Sequence, residues 1–209
     1  MSYLKAQYDA EVAFSDHLVG ELMRHISLQN TIVAIVGDHG ELLGEHGVFF
    51  DHGDDLFESA LRVPLVLAGP NVPKGARYDC VVSTADITPT ILGLLGLDGG
   101  GRSLELQPGQ CKDRAAFAST VAGRRHDPPV HHALRRGSVK VIVREGEEDL
   151  FFDLSSDVEE QTPLSTPFSR EAGAARRLLD LEIQRLGNPL VDVGGADRQL
   201  LEALGYLEP

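Results

Sequence analysis

The chain has no tryptophan, two cysteines and two methionines, and aromatic residues make up 6% of its 209 positions. Cys80 and Cys111 do not form a CxxC pair, which leaves a zinc knuckle or a thioredoxin-type motif without support. Their spacing fits one disulfide without requiring it. The usual burial of free cysteine favours an apolar, buried Cys80 with Cys111 in an exposed loop. No apolar run is long enough to span a bilayer. The opening stretch, MSYLKAQYDAEVAF, lacks the short apolar core of a signal peptide, so as written the chain is expected to stay where it is made. Positive charge is scarce as well: 19 Lys and Arg against 32 Asp and Glu give a net charge of −13. That balance argues against nucleic acid or an anionic membrane surface as a general partner, but leaves room for a local positive pocket.

What is present is an ordinary globular composition, 42% hydrophobic and 24% charged, with enough length for one core or one core and a small second unit. Residues 3–26 place Leu4, Tyr8, Val12, Leu18, Val19, Leu22, Met23 and Ile26 at roughly helical spacing. TIVAIV, residues 31–36, is apolar on both faces and reads as a strand buried within an α/β sheet. VPLVLA, residues 63–68, is a second strand. Asp86-Ile87-Thr88-Pro89 starts a helix whose body, TILGLLGL, closes at the glycines of 99–101, the clearest linker in the chain. Beyond it, VKVIVR (139–144) and LFFDL (150–154) predict an antiparallel hairpin. Residues 170–186 predict an amphipathic helix with Ala174, Leu178, Leu179, Leu181, Ile183 and Leu186 on its apolar side, and 197–204 a short last helix.

The chemistry concentrates between residues 31 and 64, TIVAIVGDHGELLGEHGVFFDHGDDLFESALRVP. His39, His46 and His52 are each followed by glycine. Within a continuing strand, Asp38 and His39 would face opposite ways. Glycines 37 and 40 let the chain leave the sheet, so the two side chains can converge beyond the strand's carboxyl end, where α/β proteins collect ligands. A carboxylate beside a neutral imidazole makes half of a divalent metal site; a polar-capped turn fits the same residues. Glu45-His46 reads first as an exposed turn. His52 precedes a helical stretch expected from residue 54 to 61, where an oxyanion would be welcome.

These residues carry a resemblance. Strand, Asp-His-Gly-Glu, x-x-Gly-Glu-His-Gly, then His-Gly, helix and Arg-Val-Pro-Leu resembles the sulfatase family of the alkaline-phosphatase superfamily. YDAEVAFSDHLVGELM resembles the helix before that family's metal strand, and VVSTADITPTILGLLGL its following segment and helix. ALRRGSVKVIVREGEEDLFFDLSSDVEEQTPL resembles its C-terminal hairpin, and ALGYLEP a frequent ending. The resemblance implies an α/β fold: a partial alkaline-phosphatase-like sandwich with a mixed, mostly parallel sheet flanked by helices, then a small α+β subdomain with an antiparallel hairpin. The expected division is 1–105 for the catalytic portion and 106–209 for the subdomain. It implies that Asp38 and His39 are two ligands of a single divalent cation, calcium first, with magnesium or manganese as alternatives. It implies that His52 contacts the sulfate near the leaving group, and that His46 and Glu45 shape the motif.

The sequence also departs from the family. The nucleophile, Cys or Ser in Cys/Ser-x-Pro-x-Arg and oxidised to formylglycine, is absent: Cys80 begins CVVST, Cys111 begins CKDRA, and Ser165 begins STPFS with arginine one place late at Arg170. The paired aspartates that precede the nucleophile have no counterpart in order; Asp54-Asp55 follows the Asp-His-Gly. The expectation is a C-terminal part of a sulfatase, with formylglycine in a part not contained here. Such a chain alone would be inactive on sulfate esters, whether small molecules or glycans, and would tend to self-associate through exposed sheet surface. A metal-dependent phosphoesterase or phosphotransferase of the same superfamily, and a non-catalytic module or pseudoenzyme, remain as alternatives.

Overall fold

The computed structural model describes residues 2–52, 56–104, 106, 114–121 and 130–186. Cys111, Asp54-Asp55, the expected helix at 197–204 and the ALGYLEP ending lie outside the described residues. The chain opens with α1 (Ser2–Met23), followed by β1 (Val33–Val36), β2 (Leu42–Leu43), β3 (Phe49–Asp51), α2 (Glu58–Leu61) and β4 (Leu65–Ala68). After α3 (Ile87–Leu94) come four strands, β5 (Ala115–Val121), β6 (Val130–Arg136), β7 (Val139–Arg144) and β8 (Leu150–Asp153), and then α4 (Arg170–Leu186).

The main core belongs to the sheet ordered β5-β6-β7-β8. Strands β6 and β7 are joined by a tight turn that pairs Arg136 with Val139, and Gly137 supplies the positive φ of 58° such a turn needs. One face of the sheet packs Ala133, Ile142 and Phe152 against Leu42, Leu56, Phe57 and Ala60 from the first half of the chain. The other packs Leu134, Val141 and Phe151 against Ala172, Ala175 and Leu179 of α4. The i, i+3, i+7 spacing puts those three on one helical stripe, and two alanines let the helix lie close to the strands. The buried stripe therefore runs beside the one predicted from leucines, and Leu181 is left 61% exposed.

The α/β class stands, and the helix at the start, the hairpin and the last described helix fall where the sequence puts them. The pairings among the described strands are antiparallel, including β1 with β4 in register Val33↔Ala68 to Val36↔Leu65. Full burial of β1 is not observed. It pairs with β4 in a two-stranded sheet, its residues are half-buried, and Val36 is exposed. Likewise α1 exposes Tyr3, Leu4, Tyr8, Val12, Phe14, Leu18 and Leu22. The free, buried Cys80 expected from composition is also corrected: Cys80 is half-buried and disulfide-bonded.

Candidate functional site

The chain leaves β1 at Val36 and turns back on α2. The Gly37 amide donates to the Pro64 carbonyl at 3.1 Å, and the Gly40 amide to the Ala60 carbonyl at 2.7 Å. Gly40 is required by space: a Cβ there would sit 1.9 Å from the Ser59 carbonyl oxygen. Between these anchors stand Asp38 and His39. The His39 amide donates to Asp38 Oδ1 at 2.9 Å. That bond, with the Asp38 amide and the neighbouring His39 and His52 imidazoles, holds the Asp38 carboxyl below its usual value, so it is ionised at neutral pH. Its side chain is 80% exposed.

His39 Nδ1 lies 2.9 Å from the Gly40 carbonyl, which can only accept, so Nδ1 carries the proton and the Nε2 lone pair is free. Nε2 is 3.7 Å from Asp38 Oδ2. His52 stacks on His39 with ring centroids 3.8 Å apart and planes 14° from parallel. Its Nδ1 is 3.3 Å from Glu41 Oε2. Glu41 completes the cluster: its side chain is 17% exposed, and its Oε1 is buried with no hydrogen-bond partner among the described residues.

The structure thus brings Asp38, His39 and His52 together and adds Glu41, which sequence reasoning passed over. The signal was available in the quoted Asp-His-Gly-Glu, but a glutamate after glycine reads as a solvated turn residue. His46 points elsewhere. It adopts φ 54° in the Gly44–Gly47 turn and stacks on Phe57 at 3.5 Å, with the Arg144 guanidinium also over the Phe57 ring. Burial opposes ionisation of Glu45, yet hydrogen bonds from its own and the Leu43 amides, with Lys5 nearby, outweigh it and hold the carboxyl low. Glu45 fixes the turn and contributes no donor to the cluster of His39, Glu41 and His52.

The cluster opens onto a cleft of about 1020 Å³ lined in part by Asp38, His39, His52, Glu58, Arg135 and Lys140. Lys140, on β7, is wholly buried; its Nζ lies 3.1 Å from Glu58 Oε1 and 2.6 Å from Glu160 Oε1. Arg135 also pairs with Glu58. Glu160 Oε2 accepts the amide of Glu58, the first residue of α2. On the far rim, Arg114 is buried against Asp86, which forms a capping box with Ser83 ahead of α3. No described helix is long and apolar enough to cross a membrane.

The chain is similar in sequence and in fold to known proteins. The Sulfatase family model matches residues 3–97. A sulfatase of Formosa agariphila is 33% identical over 162 residues, which is 73% of this chain and 31% of that protein. Choline-sulfatase of Rhizobium meliloti is 29% identical, covering 76% of this chain and 32% of its own length. Human arylsulfatase K is 30% identical, at 79% and 34%. The chain thus spans about a third of the length of the curated relatives it matches. Among solved structures, a protein in complex with its substrate D-glucosamine-2-N,6-O-disulfate is similar at TM-score 0.67 and 24% identity, over 83% of this chain and 38% of that one. Phosphonate monoester hydrolase of Agrobacterium radiobacter is similar at TM-score 0.60 and 26% identity, over 80% and 38%. In fold, and in the order of its motifs from α1 to α3, the chain belongs to the sulfatase family of the alkaline-phosphatase superfamily.

Proposed function

We propose that this chain supplies part of the catalytic centre of a sulfate-ester hydrolase, with Asp38 and His39 as ligands of one divalent cation and His52 facing the sulfate. What supports the reading is the convergence of these three side chains at one cleft, within the segment that matches the sulfatase family. The residues fit a cation: Asp38 is ionised, His39 keeps a free Nε2 lone pair, and the orphaned Glu41 Oε1 sits beside them. When bound, the cation would stabilise negative charge developing on the ester oxygens. His52 would bind and orient the sulfate at the leaving-group side. Calcium is the family's usual ion, with magnesium and manganese as alternatives. The substrate class is a sulfate ester, small or carried on a glycan. The exposed apolar residues of α1, with Val36 and Val66 on the β1–β4 pair, support self-association.

Among its 209 residues the chain has no Cys/Ser-x-Pro-x-Arg, so we expect binding without turnover. The test is titration of the isotope-labelled chain with p-nitrophenyl sulfate in the presence of calcium. The expected result is shift changes confined to the Asp38–His52 region, lost in His52→Ala, with hydrolysis no faster than the metal alone. A rate well above that background, abolished by Asp38→Ala, would overturn the expected inactivity. Tighter binding of p-nitrophenyl phosphate would favour a phosphoester reading, for which the likeness to the phosphonate monoester hydrolase is the supporting observation.

A further inference from the structure

We propose that Ser119 and His132 form a nucleophile–base pair that takes an acyl group from a small carboxylic ester. The two residues face each other across β5 and β6 in the register Ser119↔His132, and Ser119 Oγ lies 2.7 Å from His132 Nδ1. A serine hydroxyl is a poor nucleophile until a base within hydrogen-bond reach can take its proton, and this separation meets that requirement. Ser119 is exposed on the outer strand of the four-stranded sheet and is one of the residues lining the large cleft, so a ligand can reach its oxygen.

His132 is held in place by its surroundings. It is buried on β6, Phe117 stacks on its ring with centroids 5.9 Å apart, and Val143 of β7 stands opposite it on the other side. A base locked by packing keeps its lone pair aimed at the hydroxyl. Burial, and then the neighbouring His131, hold the imidazole below its ordinary value of 6.5, so it is neutral at neutral pH and able to accept a proton. Glu145 acts the other way and supports the imidazolium formed during transfer; its Oε2 accepts the Val130 amide at 3.3 Å. His131 and Glu145 are the charged groups acting on His132 among the described residues. A pair serving only the sheet gains from burying both partners; here the base is buried and the hydroxyl is open to solvent.

In the step, Ser119 Oγ attacks the carbonyl carbon of the ester while His132 Nδ1 takes the hydroxyl proton. A bond forms between Oγ and that carbon. The bond from the carbon to the leaving oxygen breaks with its electron pair going to the oxygen, and His132 returns the proton there. The step balances with the ester alone. It does not rest on the sulfate-ester reading, since neither residue is assigned to the cation or the sulfate. Acylation of Ser119 in a chain that does not bind p-nitrophenyl sulfate would support this pair and count against that function.

The test is incubation of the folded chain with p-nitrophenyl acetate, followed by peptic digestion and mass spectrometry of the peptide that carries Ser119. We expect an acetyl group on Ser119. His132→Gln, which keeps an acceptor for the hydroxyl but no base, should slow that acetylation at least about 100-fold. In the wild-type chain the rate should be level around neutral pH and fall in acid, with its midpoint below 6.5, as His132 takes a proton. No acetyl group on Ser119, or an equal rate in His132→Gln, would overturn the proposal. Should that variant fail to fold, the wild-type pH profile decides. A plateau at neutral pH supports the pair; a rate that climbs in proportion to hydroxide up to about pH 8 marks an ordinary serine and overturns it.

Discussion

Replacing Lys140 by methionine should be among the most damaging single changes in the chain, and its cost should depend on pH in a defined direction. Lys140 is completely buried and lies against two carboxylates, Glu58 and Glu160. Methionine fills much of the same volume, so the charge is what is lost. Glu58 keeps its partner Arg135, but Glu160 is left with the Glu58 amide and, among the described residues, no cation. Breaking a buried ion pair from one side costs about 3–5 kcal/mol, because the remaining charge is uncompensated. Burial already raises the Glu160 carboxyl above its usual 4.5, and Lys140 is the largest influence pulling it back. Removing that pull raises it further. A carboxyl whose folded-state value is raised binds its proton more tightly in the folded chain, so stability falls as pH rises from the unfolded value to the folded one, at about 1.4 kcal/mol per pH unit.

The variant should therefore be close to wild type near the unfolded carboxyl value and should lose stability progressively toward neutrality. Urea unfolding of both proteins at pH 5.0 and pH 7.5 (about half a unit and three units above that value) measures the difference directly. The double variant Lys140→Met/Glu160→Gln, in which the stranded charge is gone, should recover much of the loss at pH 7.5. A cost below about 1 kcal/mol at pH 7.5, or one equal at both pH values, would refute the reasoning, because the mechanism requires a charged, unpaired Glu160.

Two other outcomes are expected. Gly40→Ala drives a Cβ to 1.9 Å from the Ser59 carbonyl, so it should lower stability by about 1–3 kcal/mol in thermal unfolding, whereas Gly20→Ala, with open space around it in α1, should be neutral or mildly stabilising; equal effects would show that the close approach of the Asp-His-Gly turn to α2 is wrong. Sedimentation velocity should show concentration-dependent oligomers that diminish when Leu18 and Val66, 52% and 54% exposed, are both changed to lysine; a wild-type monomer at every concentration would refute self-association.

The strand end and its Asp38-His39 were legible because glycines bracket them and a β-branched run precedes them. Those signals are local. The strands β5 and β6 were not legible as a pair. AAFASTV and VHHALRR lack the β-branched and apolar alternation that marks a strand, and β6 buries both its histidines. The apolar alternation is carried by the neighbouring β7, which places Val141 and Ile142 on opposite faces of the sheet. Glu41 and Lys140 escaped for one shared reason. Each is a charged residue in a position that ordinarily faces water; Glu41 meets His52 eleven positions on, and Lys140 is buried against Glu58, 82 positions away. A pattern read along the chain cannot show a partner that only folding brings near.

That long-range partnership bears on how the site is held. The helix α2 has four residues, too few to be stable by itself. Its first amide is taken by Glu160, its Glu58 side chain by Lys140 and Arg135, and its Ala60 carbonyl receives the Gly40 amide. On one side α2 is fixed to the antiparallel sheet of the second half of the chain; on the other it carries the turn that presents Asp38, His39 and Glu41. The groups that this turn presents at the cleft are therefore only as rigid as the buried Lys140–Glu58–Glu160 network beneath them. A change in that network should loosen ligand binding at the cleft before it unfolds the chain, since local opening of a single helical turn requires less free energy than global unfolding.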